Sequence, residues 1–548
     1  MEDRIRQAVA KALDERGAAG VSFIVEWPAD ISHGDFAVNA AMAAAKTLGT
    51  NPRALAEELV PSIASELGDF ASEVSVAGPG FINITLSRAE VSKGIEEAVH
   101  AKENWGKGTE NLGTRTMIEY SNPNPFKQMH LGHLMGTVIG EAVSRVLENT
   151  GTAVLRDSYG GDVGPHVAKT LWAFQKEGVT DIATAAEVDA AYAKGAKAYE
   201  EDEIAKQEID LLNNAIYEGM DPTLMDLWRR AREACLEAFR EIYKVLGTHF
   251  DYYFFESETT PIGMELVQDA LTKGIFEESE GAVIYKGEKK GLHTLVFITS
   301  RGTPTYETKD VGLAFLKEER AETDEVIIVT GVEQIGHFKV FLAALEEIAP
   351  NLAAKTTHVS HGLLRLTTGK MSSRLGNVLT AKDLIIEIIT EAASKNDDPL
   401  IAEQVAVGAI KYMILRQAPG GDIIFDPEKS LSLEGDSGPY LQYALVRARS
   451  ILAQASTSED TSTPEVPYEI ERLLIRFPEV AARAGRERSP HYIAQYLTQL
   501  ASAWNSFYAA NRIIGGEYEA YKLLIAKAFA YTMQNGLTLL GIPTPEKM

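Results

Sequence analysis

The sequence predicts a multidomain α/β protein, with a parallel-sheet core, an N-terminal α+β segment and a C-terminal all-helical segment. Three observations predict this. The chain has 548 residues, far more than one hydrophobic core serves, so about three modules are expected. Hydrophobic residues make up 45 % and charged residues 24 %, the balance of a folded chain rather than a disordered one. Its middle alternates apolar strand-like runs with a helix of unbroken apolar face, the signature of a βαβ unit and hence of parallel strands.

Residues 1–110 read as helices followed by strands: "RIRQAVAKALDE", then "NAAMAAAKTLGTNPRALAEELVPSIASEL", then "SEVSVAGPGFINITLS" with period-two alternation. The polar stretch "KENWGKGTENLGT" ends this part. Next come a strand, "RTMIEY", and a loop. A helix follows, whose apolar positions Met135, Val138, Ile139, Ala142, Val143, Val146 and Leu147 share one face. Asn149, Thr150 and Gly151 stop it, and "TAVLRDSYGGD" reads as a second strand. Two later strands suit the same sheet: "DEVIIVTG" at 324–331, almost wholly apolar as doubly covered strands are, and "THVSHGLL" at 357–364. A mostly helical insertion rich in Ala, Glu and Lys occupies about 168–250. From about 400 the pattern is helical nearly throughout, interrupted by "ASTSEDTSTPEVP". Domain boundaries are therefore expected near 1–110, 111–395 and 396–548.

Charge and composition exclude several classes. The formal charge of −25 is at odds with loose, non-specific nucleic-acid binding. From Ser437 onward, however, eleven Lys and Arg stand against ten Asp and Glu, so the tail is near +1 and is the better place for a polyanion. No stretch has the uninterrupted apolar length of a membrane span, and "MEDRIRQAVAKALDERG" is an amphipathic charged helix, not a signal peptide. A cytoplasmic protein with no membrane partner is expected. The single cysteine, Cys235, excludes an internal disulfide and a multi-cysteine zinc site, and reads as a buried helix residue.

The loop "NPNPFKQMHLGHLMG", 122–136, carries the chemistry. Pro123 and Pro125 keep the chain extended, so the helix starts beyond them and His130, Gly132 and His133 fall at its N-terminus. There the unpaired N–H groups and the dipole favour an anion, two imidazoles add donors, and Gly132 lacks the Cβ that would block a flat ring. A nucleotide site is expected. Taken alone, the two histidines could equally cap or pack the helix; no third ligand supports a metal site, and none is expected. A second stretch supplies context: "TTGKMSSRLGNVLTAKDLI" at 367–385, a glycine-bracketed loop with Lys370, Met371, Ser372 and Ser373, then a capping box from Thr380 to Asp383. Such a loop can bring a lysine to a polyphosphate and withdraw it.

"HLGH" resembles the HIGH signature and "KMSSR" the KMSKS signature of class I aminoacyl-tRNA synthetases, whose catalytic domain is Rossmann-like. Further stretches resemble arginyl-tRNA synthetases: "IEYSNPNPFKQMHLGH" that family's lead-in to the first signature, and "TYETKDVGLAFLK" its amino-acid pocket segment. "GPYLQYALVRARSIL", "SPHYIAQYLTQLASAWNSFY" and "LLGIPTPEKM" look like its helical anticodon-binding domain. "HGDFAVNAAMAAAKTLGTNPRALAEEL" and "GPGFINITLS" look like its N-terminal tRNA-binding domain. The similarity runs nearly end to end, and the insertion is its least informative part.

The resemblance implies attachment of L-arginine to tRNA(Arg) through an arginyl-adenylate, with ATP as substrate, Mg2+ accompanying ATP, tRNA as partner and a monomer as the expected state. His130, Gly132, His133, Lys370, Met371, Ser372 and Ser373 would hold ATP. A guanidinium, planar and permanently charged with five donors, needs carboxylates and neutral acceptors in a fork. Glu119, Asn124, Tyr306 and Asp310 supply such groups. In the family the counterparts of Glu119 and Asn124 hold the substrate's polar backbone groups and head, and those of Tyr306 and Asp310 engage the guanidinium side; Gln334 is expected to line the pocket. One departure stands out: where KMSKS has its second lysine this chain has Ser373. Arginyl family members often carry a lysine just before the first signature instead, and Lys127 sits there, expected to act with His130, His133 and Lys370 in catalysis. In the tail, Tyr440, Tyr443, Trp504, Phe507 and Tyr508 interleave with Arg447, Arg449 and Arg512, a composition that suits splayed RNA bases; most of the aromatics are at helical spacing and are expected in the core, with only one or two touching RNA. Rival readings are another class I synthetase, a non-catalytic RNA-binding paralogue and a small nucleotidyltransferase. The last would not need the long tail.

Overall fold

The computed structural model describes residues 1–28, 33–367, 379–455 and 462–548. The chain forms two compact units, one of Met1–Gly106, Arg447–Glu479 and Thr498–Asn535, the other of Lys107–Val446, Val480–Leu497 and Gly536–Met548. The helices of the tail are thus divided between both units.

In the first unit, helix Glu2–Asp14 is followed by helices Ala40–Leu48 and Pro52–Leu67. The break between the last two is local chemistry: Gly49 takes the left-handed conformation at φ 64°, and the Asn51 side chain accepts from Arg53 N–H at 2.9 Å to start the next helix. The alternating run forms strands Ala71–Ala77 and Phe81–Leu86, a hairpin turning through Gly80 at φ 134°. With Val25–Glu26 and Phe36–Val38 they make a four-stranded antiparallel sheet. The tail's share of this unit is anchored by the fully buried Glu471, which accepts from Arg88 at 2.7 Å and from the Tyr521 hydroxyl at 2.6 Å. Trp504 is fully buried and stacks on Phe529 with centroids 4.5 Å apart, so its indole is core and not a platform for RNA bases.

The second unit is built on five parallel strands: β1 (Arg115–Glu119), β2 (Ala153–Gly160), β3 (Tyr252–Phe255), β4 (Glu325–Gly331) and β5 (Thr356–His361), in spatial order β5-β4-β1-β2-β3. Six of its helices matter here: α1 (Leu131–Asn149), α2 (Pro165–Glu177), α3 (Glu256–Thr272), α4 (Tyr306–Arg320), α5 (Ile335–Ile348) and α6 (Ala381–Ala393). All seven apolar residues predicted for one face of α1 are buried. The insertion is helical as expected, with Ala185–Glu201, Glu203–Glu218 and Pro222–Leu246, and Cys235 is buried in the last of these. Two features go beyond the sequence expectation. β3, "YYFF", is four aromatics directly after a long helix, with no alternation to mark it. A three-stranded antiparallel sheet, Glu277–Ser279, Ala282–Tyr285 and Leu295–Ile298, lies between α3 and α4 in the chain. Expected strand 357–364 is also two strands, β5 and a separate Leu364–Leu366 paired in parallel with Ile423–Phe425.

Close packing of α1 on the first strand's end is set by Gly140, where an added Cβ would lie 2.2 Å from Tyr120 Cγ. Tyr120 cannot retreat: it is fully buried, and its hydroxyl meets Glu141 at 2.9 Å and Thr248 at 2.7 Å. Gly140→Ala is therefore expected to destabilise the second unit by about 1–3 kcal/mol, measured as a lowered midpoint in urea denaturation; an unchanged midpoint would contradict this packing.

Candidate active site

β1 has β4 on one side and β2 on the other, so the crossovers leave it in opposite directions and its C-terminal end opens a crevice. The loop from Tyr120 to His130 enters there. Three of its non-glycine residues take positive φ, Ser121 at 73°, Asn122 at 51° and Phe126 at 69°, a strained backbone that neighbouring contacts must hold. They do so residue by residue. Asn122 accepts from Tyr159 N–H at 2.9 Å and donates to Glu119 at 2.7 Å. Asn124 accepts from Gly161 N–H at 2.8 Å, and Phe126 N–H donates to Cys235 Sγ at 3.3 Å.

His130 is the N-cap of α1. Its Nδ1 accepts from Gly132 N–H at 3.1 Å, and its own N–H donates to His133 Nδ1 at 3.2 Å. The two rings stack with centroids 3.6 Å apart. Because each Nδ1 is an acceptor, each proton sits on Nε2, giving two imidazole donors. Burial lowers both pKa values, helped by Lys127; His133 is brought down to about 3, with His130 and His361 adding to the effect. Gly132 has a role the sequence did not suggest: a Cβ there would lie 3.0 Å from His130 Cε1, so the glycine makes room for the histidine's own ring. Lys127 is exposed beside the pair, and His166 at the start of α2 faces the same lysine; burial brings its pKa to about 4.

Lys370, Met371, Ser372 and Ser373 lie outside the described residues. The chain following them is tied to the first motif: Thr380 forms an antiparallel bridge with His130, and Ala381 N–H donates to Met129 C=O at 2.8 Å. The expected capping box is present, with Asp383 N–H donating to Thr380 Oγ1 at 3.1 Å and that hydroxyl donating to Asp383 Oδ2 at 2.6 Å.

Beyond the histidines the crevice is acidic. Glu119, at the end of β1, is buried and receives Lys317 Nζ at 2.5 Å; the same ammonium lies 2.9 Å from Asp157 on β2. Burial opposes the charge on Lys317, but Asp157 and Glu119 outweigh it and its pKa rises. Asp310 on α4 receives His337 Nε2 at 2.6 Å, and His337 Nδ1 lies 3.3 Å from Glu307. Against the cost of burial, these two carboxylates raise the His337 pKa to about 10. Tyr306, the first residue of α4, is 71 % exposed, and Gln334 is exposed in the short turn before α5. The structure thus brings Glu119, Asn124 and Asp310 to the ends of the sheet and leaves Tyr306 and Gln334 at the surface. Lys317 and His337 were missed by sequence reasoning, although both lie within or beside the quoted pocket segments, seven residues after Asp310 and three after Gln334.

Comparison with known proteins fixes the class. Residues 95–426 match the family model described as tRNA synthetases class I (R), catalytic domain. Residues 1–86 match the arginyl tRNA synthetase N terminal domain, and 441–548 the DALR anticodon binding domain. The chain belongs to the arginyl-tRNA synthetase family. It is 33 % identical over 505 residues to arginine–tRNA ligase of Treponema denticola, 86 % of this chain and 85 % of that one. To the Limosilactobacillus reuteri enzyme of the same name it is 31 % identical over 564 residues, with both chains covered completely. Among solved structures, Thermus thermophilus arginyl-tRNA synthetase superposes with TM-score 0.83 at 27 % identity, covering all of both chains.

If the histidines act as neutral donors, His133→Gln, whose amide N–H reaches the Nε2 position, should retain far more ATP–pyrophosphate exchange than His133→Ala. Loss of about 10²-fold is expected for the alanine variant; equal rates in the two would count against a donor role.

Proposed function

We infer that the chain is an arginine–tRNA ligase, joining L-arginine to tRNA(Arg) at the expense of ATP in protein synthesis. The observation that carries this is an acidic crevice beside a neutral histidine pair at the reversal point of a parallel sheet, in a chain matched along its length by arginine–tRNA ligases. The arginine carboxylate oxygen bonds to the α-phosphorus of ATP as the bond to pyrophosphate breaks. A ribose hydroxyl of the terminal adenosine of the tRNA then takes the arginyl group and AMP leaves. The protein positions the reactants and balances charge, and no side-chain nucleophile is required.

His130 and His133 would donate to ATP phosphates from neutral rings, with Gly132 holding the first ring in place. Lys370, with Met371, Ser372 and Ser373, would follow the departing pyrophosphate. Lys127 would supply the cation that Ser373 does not. Its support is its place beside both histidines. Asp310 and Tyr306 would take the guanidinium, Glu119 and Asn124 the substrate's head, and Gln334 the rim. Mg2+ would arrive on the ATP phosphates rather than in a dedicated cage.

Residues 1–110 and 396–548 would bind tRNA and 111–395 would carry the catalysis, and arginine activation would await tRNA. The half-exposed Tyr443 and the Arg447 guanidinium, 4.3 Å over the Tyr508 ring, are the tail groups best placed for RNA. A monomer in the cytoplasm is proposed, as the family resemblance implies. Among the described residues no helix is long and apolar enough to cross a membrane.

Charging of total tRNA with each amino acid in turn should attach arginine alone; attachment of another amino acid, or of none, would refute the assignment. In ATP–pyrophosphate exchange with tRNA present, Lys127→Ala should lose about 10²-fold and Lys127→Arg much less. Near-normal turnover in the alanine variant would remove Lys127 from the mechanism.

A further inference from the structure

The acids of the crevice come with their own cations, and the pairing is uneven. Lys317 serves two carboxylates, Glu119 and Asp157. His337 also serves two, Asp310 and Glu307. Lys309 serves one, Glu256, at 2.6 Å. With the cations protonated and the carboxylates ionised, the third group is neutral and each of the first two carries one negative charge in excess; in the Lys317 group burial pushes Asp157 up to about 7, so that excess is complete only above this pH. Arginine carries two cationic groups, an α-ammonium at one end and a guanidinium at the other. The surplus matches the ligand in number and in having two separate locations.

We propose that His337 is a positioning residue for arginine: spanning Asp310 and Glu307, it fixes the Asp310 carboxylate and cancels one of two charges, leaving a single vacancy for the guanidinium. This rests on the arginine–tRNA ligase assignment. The geometry leaves the ring little freedom. Both nitrogens are engaged, the side chain is 15 % exposed, and its face lies parallel to Phe341 within 4°, while Phe338 meets it edge-on at 5.0 Å. Because α4 contributes Asp310 and Glu307 and α5 contributes His337, the imidazolium also ties the two helices together at the crevice.

A structural tie and a positioning role differ in how they respond to pH. Asp310 is faced by His337, Glu307 and Glu119, and lies near Tyr159 and Glu256; His337 is also faced by His358. Burial raises the Asp310 pKa, and His337 holds it down against the surrounding carboxylates. Removing the imidazolium would therefore raise it further. Asp310 would be protonated at the acidic end of the working range, guanidinium binding would weaken there, and it would recover as pH rises. With His337 present, its charge persists up to about 10, so this group adds no pH dependence across that range; burial pushes Asp157 up to about 7 in wild type and variant alike, so the variant is read as its ratio to wild type at each pH.

The test measures KM for arginine and for ATP in ATP–pyrophosphate exchange with tRNA, from about pH 6.5 to about pH 8.5, for the wild-type chain and His337→Gln. Expected in the variant is an arginine KM raised about tenfold or more over wild type at the acidic end, the ratio falling with rising pH, with ATP KM within about twofold of wild type. An unchanged arginine KM, a ratio independent of pH, or an equal loss for ATP would overturn the proposal while leaving the assignment standing. A wild-type chain that activates no arginine would overturn both. If His337→Gln is not recovered folded, Glu307→Gln carries the test. It removes the surplus charge, so its arginine KM should rise about tenfold, and an unchanged value would overturn the proposal.

Discussion

One buried lysine between two carboxylates sets the frame of the site. The parallel register places Glu119, the last residue of β1, directly beside Asp157 within β2, two acids out of water side by side. Uncompensated, that arrangement would not persist, because burying like charges together is costly and one would have to take a proton. Lys317 reaches them from α4, and Phe254 of β3 lies 5.9 Å from its ammonium. A buried pair of this kind adds little net stability against an apolar alternative, but losing one partner costs about 3–5 kcal/mol. Its consequence is positional: α4 is pinned to the sheet at Lys317, and two turns earlier the same face presents Asp310.

Everything else in the crevice is arranged around that pin. On one side, the acids of α4 and the strand ends hold a small excess of negative charge suited to a cationic substrate. On the other, the histidine pair at the α1 N-terminus is kept neutral by burial and by Lys127, so it presents donors without adding positive charge that would seek the acids nearby. The strained turn between these sides, with its three positive-φ residues, is held by Asn122, Asn124 and Cys235, and it brings both halves to the end of one strand.

Much of this was legible in the sequence because it follows from local rules. Pro123 and Pro125 postpone the helix to Leu131, and the apolar face of α1 declares its burial. Strand β4 declares itself by its apolar run, and Glu119, Asn124 and Asp310 by their place in family-like segments. The remainder depended on which distant side chains the fold brings together. Nothing local marks Lys317, and only the parallel register of β1 and β2 reveals why it is buried. Nothing local marks His337 either. Its two carboxylates lie 27 and 30 residues earlier in the chain, on a different helix. Trp504 was legible as well: its composition and neighbours suit RNA, but its helical spacing favours the core, and it is buried there. β3 escaped because four consecutive aromatics carry no period at all.

The most direct test of the account is a crystal structure of the chain bound to a non-hydrolysable arginyl-adenylate analogue. The account predicts the guanidinium on Asp310 with the His337 contact preserved, the ammonium end toward Glu119 and Asn124, and the phosphate mimic within hydrogen-bond reach of the His130 or His133 ring. A guanidinium seated on the Glu119–Asp157 side, or a phosphate mimic remote from both imidazoles, would contradict it.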